Sequence, residues 1–143
     1  MNESQLLYLA VPYAHPSSEV REYRFRTACR ASAVLMKHGI VVFSPLSHSV
    51  PIAEYVGDVE SEHDFWLGQD IPILQRCDEL LVVGLDGWTE SKGVKQEIFE
   101  ALSLRKPITV IDEADIDRLP KIPKTARRFL VSKILTEEIN ENA

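Results

Sequence analysis

Apolar positions along the chain fall into two kinds of segment that alternate. Short apolar runs occur at residues 6–11 (LLYLAV), 40–43 (IVVF), 79–85 (ELLVVGL) and 107–111 (PITVI). Their length and their β-branched content read as strands, the third being the best candidate for a central buried one. Between them, apolar residues recur every three or four positions. Val20, Tyr23, Thr27, Ala31, Val34, Leu35 and His38 trace a helix that Ser17 or Ser18 caps and Gly39 ends. Residues 62–77 read as helical through Phe65, Trp66, Ile73 and Leu74, with Pro72 predicting a kink or two short helices joined near Asp70. Residues 93–104 form another helix, with Val94, Ile98, Ala101 and Leu102 inward. A last helix is expected over residues 124–135, followed by a polar tail from Thr136.

Two stretches lack a period. Residues 44–60, punctuated by Pro45, Pro51 and Gly57, read as a long irregular connection, a kind that often carries function. Residues 112–117 read as an acidic loop. Strands alternating with helices specify a parallel sheet with right-handed crossovers. The expected fold is therefore α/β: a flavodoxin/Rossmann-like three-layer domain over residues 1–143, with a parallel sheet of roughly four to five strands. The expected strand order is near 2-1-3-4. Such sheets bind ligands at the carboxyl ends of their strands, here the loops after Val11, Phe43, Leu85 and Ile111.

Composition narrows the function more than the fold. At 143 residues, 45% hydrophobic and 27% charged, the chain can build a core without staples. Its net charge of −6 argues against a nucleic-acid polymer as partner, but leaves room for one small phosphorylated ligand. The most basic segment holds Arg21, Arg24, Arg26 and Arg30, whose helical spacing spreads them over more than one face and predicts a solvated surface. No apolar stretch is long enough to span a membrane, and the acidic start is unlike a signal peptide, so a cytoplasmic location is expected. Cys29 and Cys77 read as reduced, mostly buried thiols, and His15, His38, His48 and His63 show no ligand spacing, so no metal is expected.

Candidate chemistry gathers around residues 86–97. Asp86 and Gly87 make a turn, and Ser91-Lys92-Gly93-Val94 opens a helix. A helix start offers unpaired N–H groups and a Ser hydroxyl to an anion, and Gly93 lets a ligand approach the backbone; Ser91 is equally an ordinary cap. Glu97 lies one turn beyond Gly93, between core-facing Val94 and Ile98, and its pattern fits either face. Asp70 precedes Ile71-Pro72 and fits a plain helix cap with Pro in the first turn. Tyr8 is most simply a core aromatic. Tyr13 lies past the first strand, where an aromatic ring can stack on a base. His48 and Ser49 are either ligand donors or loop surface.

Three segments in this order resemble the nucleoside 2-deoxyribosyltransferase-like superfamily: Tyr8-Leu9-Ala10-Val11-Pro12, Asp70-Ile-Pro-Ile-Leu-Gln-Arg-Cys-Asp78, and Ser91-Lys-Gly93-Val94-Lys-Gln-Glu97-Ile-Phe-Glu-Ala101. The likeness spans residues 6–111 and is closest to a bacterial and phage subgroup. It implies that Glu97 is the nucleophile and that Asp70 assists at the base. Tyr8, Val11, Tyr13, His48, Asp86, Ser91 and Gly93 would line the substrate site. Transferases of that superfamily usually carry Asp where this chain has Ser91; the Ser is similar to the branch of 2′-deoxynucleoside 5′-monophosphate N-glycosidases, where it helps hold the phosphate. Two positions depart from the pattern: Val11 stands where many members have Gly, and Phe99 follows Glu97-Ile98 where Gly is common. The resemblance thus implies an N-glycoside hydrolase of a nucleotide, with a base-exchanging transferase or a non-catalytic nucleotide-binding module as alternatives. It implies no cofactor, a small nucleotide or nucleoside as partner, and at least a homodimer in which a neighbouring subunit completes the pocket.

Overall fold

The computed structural model describes residues 5–121. The expected helix over residues 124–135 and the tail after it lie outside the described residues. Strand β1 (Leu6–Ala10) is followed by helix α1 (Ser18–Lys37) and β2 (Val41–Phe43). Helices α2 (Pro45–Val56) and α3 (Glu62–Arg76) lead to β3 (Glu79–Val83), and α4 (Lys92–Ser103) to β4 (Ile108–Ile111). The four strands are parallel and lie in the order β2-β1-β3-β4, as the alternating pattern predicts. Leu7 pairs with Glu79 and Leu80 with Ile108, so β1 and β3 are both interior strands.

The pleat divides the core into two halves. Leu7, Leu9 and Val11 point with Leu81 and Val83 towards Ala28, Ala31 and Leu35 of α1. Tyr8 and Ala10 point with Leu80 and Val82 the other way, towards Leu74 of α3 and Val94, Ile98 and Ala101 of α4. This gives the three-layer α/β arrangement, with α1 on one face and α3 and α4 on the other. No described helix is long and apolar enough to cross a membrane. The caps follow local chemistry. Ser17 accepts from the Val20 amide, and Gly39, at φ +78°, turns the chain out of α1 while the Ile40 amide reaches back to the Leu35 carbonyl.

Several expectations are corrected. The stretch after β2 is not irregular: Ser44 caps α2 and Pro45 sits in its first turn, where proline's missing N–H costs nothing. His48 is therefore a helical residue. Pro72 neither splits nor ends α3. It removes one N–H, and the carbonyl four residues earlier belongs to Gly68; both residues are exposed, so water can serve the orphaned oxygen. Asp70 is consequently mid-helix and is not a cap. Cys77 is the C-cap of α3, where it is buried, while Cys29 in α1 is only half-buried. The acidic segment after β4 folds as a 3-10 helix, Glu113–Lys121. Ile116 and Leu119, three apart, match its three-residue turn and are buried against α1.

Candidate functional site

The loop after β3 is built almost wholly of turns. Gly87 takes the left-handed conformation at φ +83°, and a 3-10 turn (Trp88–Glu90) follows. The Trp88 indole lies over Gly84, where a Cβ would stand 3.1 Å from Nε1 and 3.3 Å from the Ile111 carbonyl oxygen, so the backbone there admits no side chain without a shift. This turn delivers Ser91 to the N-cap of α4. Its Oγ accepts from the Val94 amide at 3.2 Å, and its carbonyl oxygen accepts from the Lys95 amide. The Ser91 hydroxyl proton has no acceptor among the described residues. A Cβ on Gly93 would meet nothing within 4 Å, so the space over the first turn of α4 is open.

Glu97 faces inward. It shares the buried face of α4 with Val94, Ile98 and Ala101, and the phenol of fully buried Tyr8 donates a hydrogen bond to its Oε2. The ambiguity of the sequence pattern is thereby settled: Glu97 is a core position, and its partner is the strand aromatic. Burial pushes the Glu97 carboxyl from its ordinary 4.5 up to about 8; the Tyr8 bond pulls it down and the Asp70 charge pushes it further up. Half-buried Asp70, on α3, is raised by burial to about 6. Burial and the Glu97 and Asp70 charges raise the Tyr8 phenol far above its usual range, so it stays protonated and is always the donor. Three elements thus bring Tyr8, Glu97 and Asp70 into one electrostatically coupled group.

A second chain of contacts extends from Tyr8. Its ring lies 6.0 Å from Phe43 at the end of β2, and Phe43 lies 5.5 Å from the exposed His48 on α2. Phe43 joins His48 to the group although the sequence singled out only His48. The period-two pattern carried the missing signal, since Phe43 pairs in register with Tyr8.

Other expected site residues lie elsewhere. The Val11 side chain packs with the α1 half of the core, on the face opposite Tyr8 and Glu97. Tyr13 is half-buried in the 11–17 loop. Asp86 exposes its side chain, and its carbonyl oxygen accepts from Arg24 at 2.8 Å. Arg24 corrects another expectation. Arg26 and Arg30 do lie exposed, paired with Glu22 and with Glu113 and Asp117, but Arg24 is buried. Its depth was hidden because the apolar period of α1 passes through Thr27 and Ala31 and leaves residue 24 looking like one more surface cation. No group of three or more His, Cys, Asp or Glu side chains suited to a metal occurs among the described residues.

Among solved structures, the fold is similar to that of a 2-deoxyribosyltransferase from the psychrotolerant bacterium Bacillus psychrosaccharolyticus. The two are 22% identical with a TM-score of 0.55, over 75% of this chain and 72% of that one. The likeness shows the flavodoxin-like fold. No curated protein matches the chain. A family model described as a domain of unknown function (DUF1937) matches residues 5–113, so the chain belongs to the DUF1937 family.

Proposed function

We propose that the protein is an N-glycoside hydrolase that cleaves the base–sugar bond of a nucleoside 5′-monophosphate, with Glu97 as nucleophile. The observation that carries this reading is the buried Glu97 carboxyl held by the Tyr8 hydroxyl beside Asp70. A carboxyl buried on a helix face costs stability, and perturbed carboxyls in pairs are the signature of acid–base work. The fold likeness to a 2-deoxyribosyltransferase adds a class of chemistry, glycosyl transfer at a nucleoside.

The steps parallel a retaining glycosidase. A Glu97 carboxylate oxygen forms a bond to the anomeric carbon as the C1′–N bond breaks. The bonding pair leaves on the base nitrogen, which takes the proton from Asp70. The oxocarbenium-like transition state is stabilised by the adjoining carboxylate. Water then attacks the anomeric carbon, its proton passes to the Asp70 carboxylate, and Glu97 is released. The products are free base and sugar 5-phosphate. Tyr8 holds the attacking oxygen in place. Ser91, with a proton to donate at a helix N-terminus, seats the phosphate, where an Asp would repel it. Between pH 6 and 8 the Glu97–Asp70 pair carries one proton, which must sit on Asp70 for attack.

The test is base release from a panel of ribo- and deoxynucleoside monophosphates and their free nucleosides, with Glu97→Ala in parallel. Release from monophosphates that disappears in the variant is the expected result. Unchanged turnover in Glu97→Ala sinks the nucleophile assignment. Exchange with added free base that outruns hydrolysis makes the protein a transferase, the reading favoured by the fold likeness. A homodimer and a cytoplasmic location belong to the same proposal; sedimentation of the full chain checks the first and cell fractionation the second.

A further inference from the structure

Among the described residues Arg24 is the one strongly buried cation, and the chemistry above does not use it. It is 6% exposed, yet no carboxylate pairs with it among the described residues. Its hydrogen bonds go to two backbone carbonyls instead. Nη1 donates to Ala14 O at 3.0 Å, in the loop after β1; Nη2 donates to Asp86 O at 2.8 Å, in the loop after β3. Strands β1 and β3 are neighbours, and the chain leaves them in opposite directions, to β2 on one side and β4 on the other. Arg24 therefore spans the switch point, where a parallel sheet opens its crevice. Burying a guanidinium without a counter-charge is unfavourable unless oxygens take its hydrogen bonds, so its need for both carbonyls ties both loops to it. Gly87 completes the fit: a Cβ there would stand 3.0 Å from Nη2.

We propose that Arg24 is a positioning residue for this site, a latch that fixes the loop after β3 against the loop after β1. The 3-10 turn begins two residues beyond Asp86 and delivers Ser91. The latch thus sets where the turn that ends at Ser91 stands against the loop after β1, while α4 itself fixes Ser91 relative to Glu97. A nucleoside monophosphate, which has to reach from Glu97 to the cap of α4, needs that turn in place; a free nucleoside does not. This selectivity rests on the nucleotide-hydrolase reading above, whereas the latch itself does not.

Two measurements on the full chain separate them. The first is hydrogen exchange in the wild type, Arg24→Met, Arg24→Lys and Gly87→Ala. A local opening raises exchange only where the latch acts. Peptides covering residues 12–17 and 84–91 exchange together at least tenfold faster in both Arg24 variants, while β1 and β3 keep their protection. Lysine keeps the charge but offers one nitrogen where the guanidinium holds two apart in a plane, so full rescue by Arg24→Lys overturns the two-pronged bridge. Equal loosening of the strands, or of one loop alone, also overturns it. Should Arg24→Met fail to fold, Gly87→Ala carries the test. Gly39→Ala is its control, since Gly39 has a similar φ of +78° with nothing within 4 Å of a Cβ; loosening of the two loops in Gly87→Ala and not in Gly39→Ala supports the latch, and equal behaviour overturns it. The second measurement is the KM split. Arg24→Lys raises KM for the monophosphate at least tenfold and leaves the free nucleoside within twofold. If the wild type releases no base from any nucleotide, the hydrolase reading fails and exchange alone decides the latch. If nucleotides turn over and KM is unmoved, the positioning role fails alone.

Discussion

Replacing Tyr8 by Phe removes one oxygen and with it the hydrogen bond to Glu97 Oε2. The ring, its packing against Phe43 and the buried surface are otherwise kept. The lost bond favours the ionised carboxyl, because a phenol donates more strongly to a carboxylate than to an acid. Charge-assisted bonds of this kind contribute about 1.5–3 kcal/mol, and each pKa unit is about 1.4 kcal/mol. The Glu97 carboxyl should therefore rise from about 8 by roughly one to two units. At pH 7 the ionised fraction would fall from about one tenth to about one hundredth or less. Turnover that depends on Glu97 as nucleophile falls about tenfold to a hundredfold at that pH, and the alkaline limb of its pH profile moves up.

The direct assay needs no substrate. Carboxyl-labelled glutamate gives a carbon resonance for Glu97, assigned by its absence in Glu97→Gln, and its midpoint is read in wild type and Tyr8→Phe. A Glu97 midpoint near 4.5 in the wild type refutes the burial argument. An unchanged or lowered midpoint in Tyr8→Phe refutes the role given to the hydroxyl.

Three further outcomes follow from the same charges. Because the folded carboxyl of Glu97 is raised from 4.5 to about 8, its effect on stability is harmless below pH 4.5 and grows unfavourable as pH rises to 8, by at most about 5 kcal/mol; Glu97→Gln should accordingly stabilise the protein in urea melts at pH 8.5 and change little at pH 4, and equal effects at both pH values would contradict it. The pH dependence of base release should be bell-shaped with limbs near 6 and 8, and Asp70→Asn, which removes one titrating member, should flatten the bell and slow release by about 10²-fold or more. Ser91→Asp keeps the helix cap but places a negative charge at the open end of α4, so nucleoside monophosphate KM should rise tenfold or more with little change for free nucleosides; a uniform loss for both substrates would mean that Ser91 serves only the helix.

The strand order and both faces of the sheet were legible because period two in β1 and β3 and period three to four in α1 and α4 agree with one another. Where the pattern misled, a local signal was overridden. Two prolines in residues 44–60 suggested a loop, yet Pro45 occupies the first helical turn and Pro51 lies on an exposed face where its missing bond goes to solvent. Pro72 misplaced Asp70 at a helix start for the same reason. Ser91 was read correctly as a cap, because capping depends only on neighbours in sequence; what lies beyond its hydroxyl depends on the fold. Arg24 could not be read at all, since it is defined by carbonyls 10 and 62 residues away, whereas Phe43 was within reach of the strand pattern that sets it opposite Tyr8.

Glu97 sits where these levels conflict. Hydrophobic patterning assigns its position to the core, and the residue placed there is an acid whose burial weakens the fold above pH 4.5. A leucine or glutamine at 97 would satisfy packing without that penalty. Tyr8 softens the conflict by donating a bond from the neighbouring layer, but does not remove it, because burial and the Asp70 charge still outweigh the bond. Local inconsistency of this kind, sustained by a second residue shaped to accommodate it, marks a position whose chemistry matters more than its contribution to stability. The stability cost and the proposed reactivity then share one cause: the desolvation that disfavours the Glu97 carboxylate in the folded protein is relieved when a positively charged sugar carbon forms beside it. A neutral residue at 97 that gains stability while base release is lost would display both consequences in a single variant.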